Sequence, residues 1–245
     1  MLINEPAIKE HKMAWTNGPF LGFDTETTGV STASDRIVTA ALILRQGDQN
    51  IEKTWLLNPG VDIPVEASNI HGITTEYARE HGQDPKVGLE EIAVELVKHL
   101  ETQSPVVAFN ATFDISILDA ELVRHGLTPV SARLANGWSP VIDPLVIDRA
   151  VDRWRKGKRK LVDLCAHYGV DETGTLHTAD ADVAATLDVL DLIIAKYPEL
   201  AQMTLADLHS YQERAHHQWA TSFNQYLTKI GRPADVGTTW LSAEG

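Results

Sequence analysis

The chain has 245 residues, of which 43% are hydrophobic and 22% charged. That is enough for one large domain with its own core, and it excludes disorder as the dominant state. The net charge of −13 argues against a protein that coats nucleic acid, because phosphate binding is largely electrostatic.

At the N-terminus Glu5, Lys9, Glu10 and Lys12 stand without any apolar stretch, so no signal peptide is expected. The longest purely apolar run, Ala40–Leu44, falls far short of the roughly 20 residues that cross a bilayer. Cys165 is the single cysteine, so no internal disulfide is available. A reducing cytoplasm, away from any membrane, is the expected location.

Phe20–Phe23 reads as a short buried strand that delivers Asp24 at its end. Residues 37–44 and 51–57 read as two more strands, joined by a hairpin across 46–50. Residues 61–85 look loop-like, with a short helix around 65–70. Leu89, Ile92, Ala93, Leu96, Val97 and Leu100 recur at helical spacing. Residues 105–109 form a fourth strand, which runs straight into a helix carrying Ile115, Leu118, Leu122 and Val123 and stopped near Gly126. Residues 141–143 make a short fifth strand before Pro144, and helices are expected over about 145–154, 160–168 and 178–196.

Pro198 breaks the chain, and Thr204 to Asp207 resembles a capping box. Leu205, Leu208, Tyr211, Ala215, Trp219, Phe223, Tyr226 and Ile230 then form a long apolar stripe, and 231–245 read as a tail. The pattern predicts an α/β fold with a mixed sheet: an N-terminal segment 1–18, a domain 19–198, and a C-terminal helical extension 199–245.

Charge is distributed unevenly. Between Arg149 and Lys160 seven basic residues face Asp152 alone, a net +6 in an acidic chain. Arg153, Arg155, Lys156, Lys158 and Arg159 are candidate phosphate contacts, although a solvated charge run is the common alternative. Trp154 among them is a candidate for stacking a base or for anchoring the core.

Three acidic motifs carry the chemistry. Asp24-Thr25-Glu26-Thr27-Thr28-Gly29 ends the first strand, and residues two apart on a strand share a face. Asp24 and Glu26 can therefore aim both carboxylates at one point. Asn110-Ala111-Thr112-Phe113-Asp114 lies where the fourth strand becomes a helix, and His177-Thr178-Ala179-Asp180-Ala181-Asp182 opens the last core helix. Each alone has a bland explanation: a solvated strand end, a helix-dipole partner, a surface histidine. Together they do not. With each residue type expected roughly once in 20, Asp-x-Glu-x-Thr-Gly arises by chance in roughly one of 650 chains of this length.

With these motifs the chain resembles the DnaQ-like 3′→5′ exonucleases of the DEDDh type, over about residues 19–196. Asn69-Ile70-His71-Gly72-Ile73-Thr74 and Leu161–Gly169 also resemble segments of that family. The resemblance implies an RNase H-like mixed five-stranded sheet flanked by helices. Its catalytic set would be Asp24, Glu26, Asp114, His177 and Asp182. The four carboxylates would hold two Mg²⁺ or Mn²⁺ ions, since hard oxygen ligands favour those metals. His177 would act as general base, a task that suits histidine because the unperturbed imidazole titrates close to neutral pH.

Thr25, Thr27, Phe113, Ile73 and His71 would contact the substrate, although a loop-ordering hydrogen bond explains His71 as well. The implied substrate is the 3′ end of single-stranded nucleic acid, DNA in preference to RNA, and the implied products are nucleoside 5′-monophosphates in proofreading or repair. RNA or oligonucleotide trimming is the alternative within catalysis. A polymerase-docking accessory subunit, with a DNA polymerase as partner, is the alternative outside it. The 204–230 helix and Trp240 would then be the docking part, whereas folding back on the core is the simpler expectation.

Overall fold

The computed structural model describes residues 15–170 and 177–241; expectations that fall on 1–14, 171–176 and 242–245 lie outside the described residues. The sheet is built around β1 (Phe20–Thr27), with β2 (Ile37–Gln46) antiparallel to it and β3 (Gln49–Leu56) antiparallel to β2. Gln46 pairs with Gln49, so the hairpin turns on Gly47 and Asp48 alone, with Gly47 at φ 56°.

Helices α1 (Val65–His71), α2 (Thr75–His81) and α3 (Pro85–Glu101) carry the chain to β4 (Val106–Val107), which is parallel to β1. Then α4 (Ala111–Arg124) and α5 (Val130–Arg133) lead to β5 (Val141–Ile142), parallel to β4. The order β3-β2-β1-β4-β5 makes the expected mixed five-stranded sheet. Among the described residues, four α-helices follow: α6 (Pro144–Val151), α7 (Leu161–Tyr168), α8 (Ala179–Lys196) and α9 (Leu205–Lys229).

Alternation along β1 sorts its side chains between two layers. Leu21 and Phe23 enter the core under α3 and α4, with Leu89, Ile92, Ile115 and Leu118. Phe20 enters the opposite core, with Val183, Leu187 and Leu190 of α8. Gly22 faces α8 as well, and a Cβ there would run into Val183. The absent side chain is what lets α8 lie so close to β1.

Two expectations are corrected, one in the 61–85 segment and one in α9. Residues 61–85 contain a second helix, α2, which the pattern hides because Ala78 is its one buried residue; Thr74 starts it by accepting from the Tyr77 N–H. The tail folds back: Trp240 is buried in the α3–α4 core, and the Leu241 N–H donates to Thr112 Oγ1. The apolar stripe of α9 does not stay on the core. Its buried positions are Leu208, Gln212, Ala220 and Leu227, whereas Phe223, Tyr226 and Ile230 are exposed. A polar residue at the centre of the contact displaced the true face from the hydrophobic pattern. Gln212 Oε1 accepts from the Asp143 N–H at 2.7 Å and its Nε2 donates to the Val141 carbonyl at 3.0 Å, tying α9 to the end of β5. Thr204 caps α9 by accepting from the Asp207 N–H. No described helix is long and apolar enough to cross a membrane.

Candidate active site

The strand period that divides the core also divides the acidic motif. Asp24 and Glu26 continue the α8 side of β1, and there they meet Asp182 in the first turn of α8. One ligand oxygen from each of Asp24, Glu26 and Asp182 lies within 4.8 Å of the others, and all three residues are partly exposed. Thr25 points to the opposite side, where α4 begins. Its N–H and Oγ1 both donate to Asp114 Oδ1, at 3.1 and 2.7 Å.

The start of α4 is fixed from below. Asn110 takes a left-handed backbone (φ 60°), which asparagine tolerates. The buried carboxylate of Asp143 accepts from the Asn110 and Ala111 N–H groups at 3.1 and 3.0 Å, and also from Leu145 N–H at 2.9 Å. One side chain thus caps both α4 and α6 and sets where Asp114 stands. The motif reading missed Asp143, although Asp before Pro is a legible helix start.

Crowding and burial act on the acids together. Burial first, then the charges of Asp114, Asp182 and Glu26, hold Asp24 well above the ordinary carboxylate range. Burial, then Asp182 and Asp114, push Glu26 up to about 7. Burial lifts Asp114 to about 7 against the lowering effect of its Thr25 hydrogen bonds, and it raises Asp182 against the His177 N–H. Ionising this group is unfavourable unless a cation compensates it. An all-oxygen donor set under such strain fits a hard divalent metal.

His177 is exposed, its backbone N–H donates to Asp182 Oδ1 at 3.2 Å, and its φ of 99° is unusual for a residue other than glycine. Strained backbone is concentrated at functional sites.

The expected substrate contacts divide. His71 and Ile73 line a cleft of about 330 Å³ together with Glu26 and Asp180. His71 Nδ1 accepts from the Ile73 N–H at 3.1 Å, and its ring also lies beside the Thr27 backbone. Phe113 lies elsewhere, in a neighbouring cleft of about 340 Å³ with Asn110 and Thr112. Thr25 has both its N–H and its Oγ1 donating to Asp114, so it positions that carboxylate. Thr27 Oγ1 donates to the Gly29 carbonyl at 2.6 Å and so shapes its own turn.

Of the basic island, Arg155 and Arg159 both bind the fully buried Asp148, which also accepts from Tyr168 Oη at 2.8 Å. Arg153, Lys156 and Lys158 are exposed.

The family model RNase_T, described as exonuclease, matches residues 21–190, which include all five expected catalytic positions. The DNA polymerase III PolC-type of Lacticaseibacillus paracasei is 29% identical over 168 residues, covering 68% of this chain and 11% of that protein. Its counterpart in Streptococcus pneumoniae is 29% identical over 191 residues, covering 78% and 12%. The chain therefore spans about a tenth of the length of these relatives. Among solved structures, E. coli exonuclease I in complex with a dT13 oligonucleotide has a TM-score of 0.61 at 24% identity, covering 74% of this chain and 42% of that one. Exonuclease I of Methylocaldum szegediense has a TM-score of 0.61 at 24% identity, covering 79% and 44%. At this identity the likeness concerns the fold.

Proposed function

Because the chain belongs to this exonuclease family, we propose that it is a metal-dependent 3′→5′ exonuclease that removes nucleoside 5′-monophosphates from single-stranded DNA in proofreading or repair. The observation that carries this reading is the convergence of Asp24, Glu26 and Asp182 within 4.8 Å, with Asp114 hydrogen-bonded to the intervening Thr25.

Asp24, Glu26 and Asp182 would hold one divalent ion, Mg²⁺ or Mn²⁺, and Asp24 with Asp114 would hold a second. When bound, such a pair stabilises the attacking and leaving oxygens of a phosphodiester displacement. Thr25 keeps Asp114 aimed through two hydrogen bonds. His177, exposed at the start of α8, takes the proton of the attacking water on a ring nitrogen. The cleft lined by Ile73, His71 and Glu26 takes the terminal nucleotide.

The test is degradation of a 3′-labelled DNA strand with Mg²⁺ or with EDTA, by wild type and by Asp24→Ala. Stepwise loss of the label with Mg²⁺ alone, absent in the variant, is expected. Activity that survives the substitution, or that starts at the 5′ end, overturns the reading. An RNA strand of equal sequence run alongside decides between the DNA and RNA readings.

A further inference from the structure

Five arginines line one cleft. Arg149 of α6, Arg153, Arg155 and Arg159 of the following loop, and Arg214 of α9 surround a space of about 400 Å³, and none of the residues lining it is acidic. The cleft is built. Buried Asp148 clamps Arg155 and Arg159 from behind, and Gln212 fixes α9 against β5. The Arg149 guanidinium lies over the Trp219 ring, 3.6 Å from its centroid.

Aromatic faces accompany the charge. Trp154, 84% exposed, lines the cleft with the Arg153 guanidinium over its ring. Trp219 begins a ladder along α9: its ring is stacked on Phe223 (5.5 Å, 12°), which is stacked on Tyr226 (6.1 Å, 23°). These residues follow at i, i+4 and i+7 and therefore share one helix face.

The cleft also adjoins the one that contains Phe113. Arg149 and Trp219 line it and line the neighbouring cleft as well, whose other wall is Asn110, Thr112 and Phe113 at the start of the Asp114 helix. Clamped cations beside the exposed ring of Trp154 suit one chemical partner best, a single strand with a phosphate and a flat base at every step.

We propose that this arginine–aromatic cleft between α6 and α9 binds the 5′-ward part of the strand whose 3′ end occupies the carboxylate site. The inference rests on the exonuclease reading. It assigns α9, outside the stretch matched by the family model, the task of gripping the strand while the end is removed.

The full-length chain carrying Arg153→Ala, Trp154→Ala and Arg214→Ala together is the test, since all three side chains are exposed and their loss leaves the core intact. Anisotropy of fluorescein-labelled dT12 in EDTA should show affinity about tenfold weaker than wild type, from a lost base stack and lost charge. The log–log salt slope should flatten by about 1.4, at about 0.7 for each of two phosphate contacts. Hydrolysis of the dinucleotide dT2 with Mg²⁺, which fills only the carboxylate cleft, should stay within about twofold of wild type.

Unchanged dT12 affinity and salt slope overturn the cleft assignment, as does an equal loss on dT2 and dT12. A Glu-rich decapeptide that displaces dT12 from wild type at equal or lower concentration assigns the cleft to an acidic protein partner and overturns it too. If wild type hydrolyses neither oligonucleotide, the exonuclease reading fails, and the EDTA binding arm still reports on the cleft separately.

Discussion

The carboxylate site and the arginine cleft handle charge in opposite ways. In the first, four acids are gathered from β1, α4 and α8; burial raises every one of them, and for Asp24 and Glu26 the charges of their neighbours in the cluster add to it. In the second, buried Asp148 offsets the charge of Arg155 and Arg159 beneath the surface, while Arg153 and Arg214 stay exposed. The first region is thus unsatisfied without a cation. The second is held together by its own ion pairs and presents its remaining charge outward. A cluster under strain is suited to chemistry, and a neutralised scaffold with protruding cations is suited to grip.

The sharpest way to break the contrast is Asp182→Asn. It removes one charge from the strained cluster, so activity should fall by about 10³-fold. Thermal stability in EDTA should hold or rise, because a repulsion is relieved. A parallel loss of activity and melting temperature would show that Asp182 is structural. Asp148→Asn should do the converse. It strips the counter-charge from Arg155 and Arg159 and should cost about 3–5 kcal/mol in urea unfolding. Cleavage of a dinucleotide by the fraction that remains folded should be nearly unchanged. A loss under about 1 kcal/mol would place the clamp among weak surface pairs.

Much of the carboxylate site was legible in the sequence because its geometry is local. Asp24 and Glu26 share a face by strand period alone, and His177 and Asp182 lie within one helix start. The sheet was legible for the same reason, since its strands are short apolar runs between turn signals. The arginine cleft was legible only in part. The 149–160 island stood out by charge, yet Arg214 and Trp219 join it only through the packing of α6 on α9. That packing turns on Gln212, which no apolar periodicity marks. The link from Thr25 to Asp114 was hidden for a related reason: the two are 89 residues apart.

Gly22→Ala tests how far the two layers of β1 depend on each other. The new methyl group meets Val183 on the turn of α8 that carries Asp182. Overpacking of this kind costs about 1–3 kcal/mol. If α8 shifts to make room, kcat should fall by more than KM changes, because the substrate cleft stays while the carboxylates separate. Stability lost with kcat intact would mean that Val183 alone yields.

The smallest effect concerns protons. Glu26 and Asp114 sit at about 7, above the unfolded values of 4.5 and 3.8. Between pH 6 and pH 8 the folded chain therefore holds protons at these acids that the unfolded chain has already released, and stability must fall as pH rises through that window. Histidines work the other way: burial holds His71, His209 and His216 below their ordinary value, so their contribution grows as pH rises. The informative quantity is the difference between wild type and Glu26→Gln in EDTA. Wild type should lose about 2–4 °C more than the variant between pH 6 and pH 8, the shift that about 1 kcal/mol produces in a chain of this size. Mg²⁺ should erase most of that difference at pH 8, where the acids are ionised and a cation binds best. Equal pH profiles for the two proteins would mean that Glu26 is solvated like an ordinary surface acid, and the contrast between a strained cluster and a neutralised scaffold would then rest on Asp24, Asp114 and Asp182 alone.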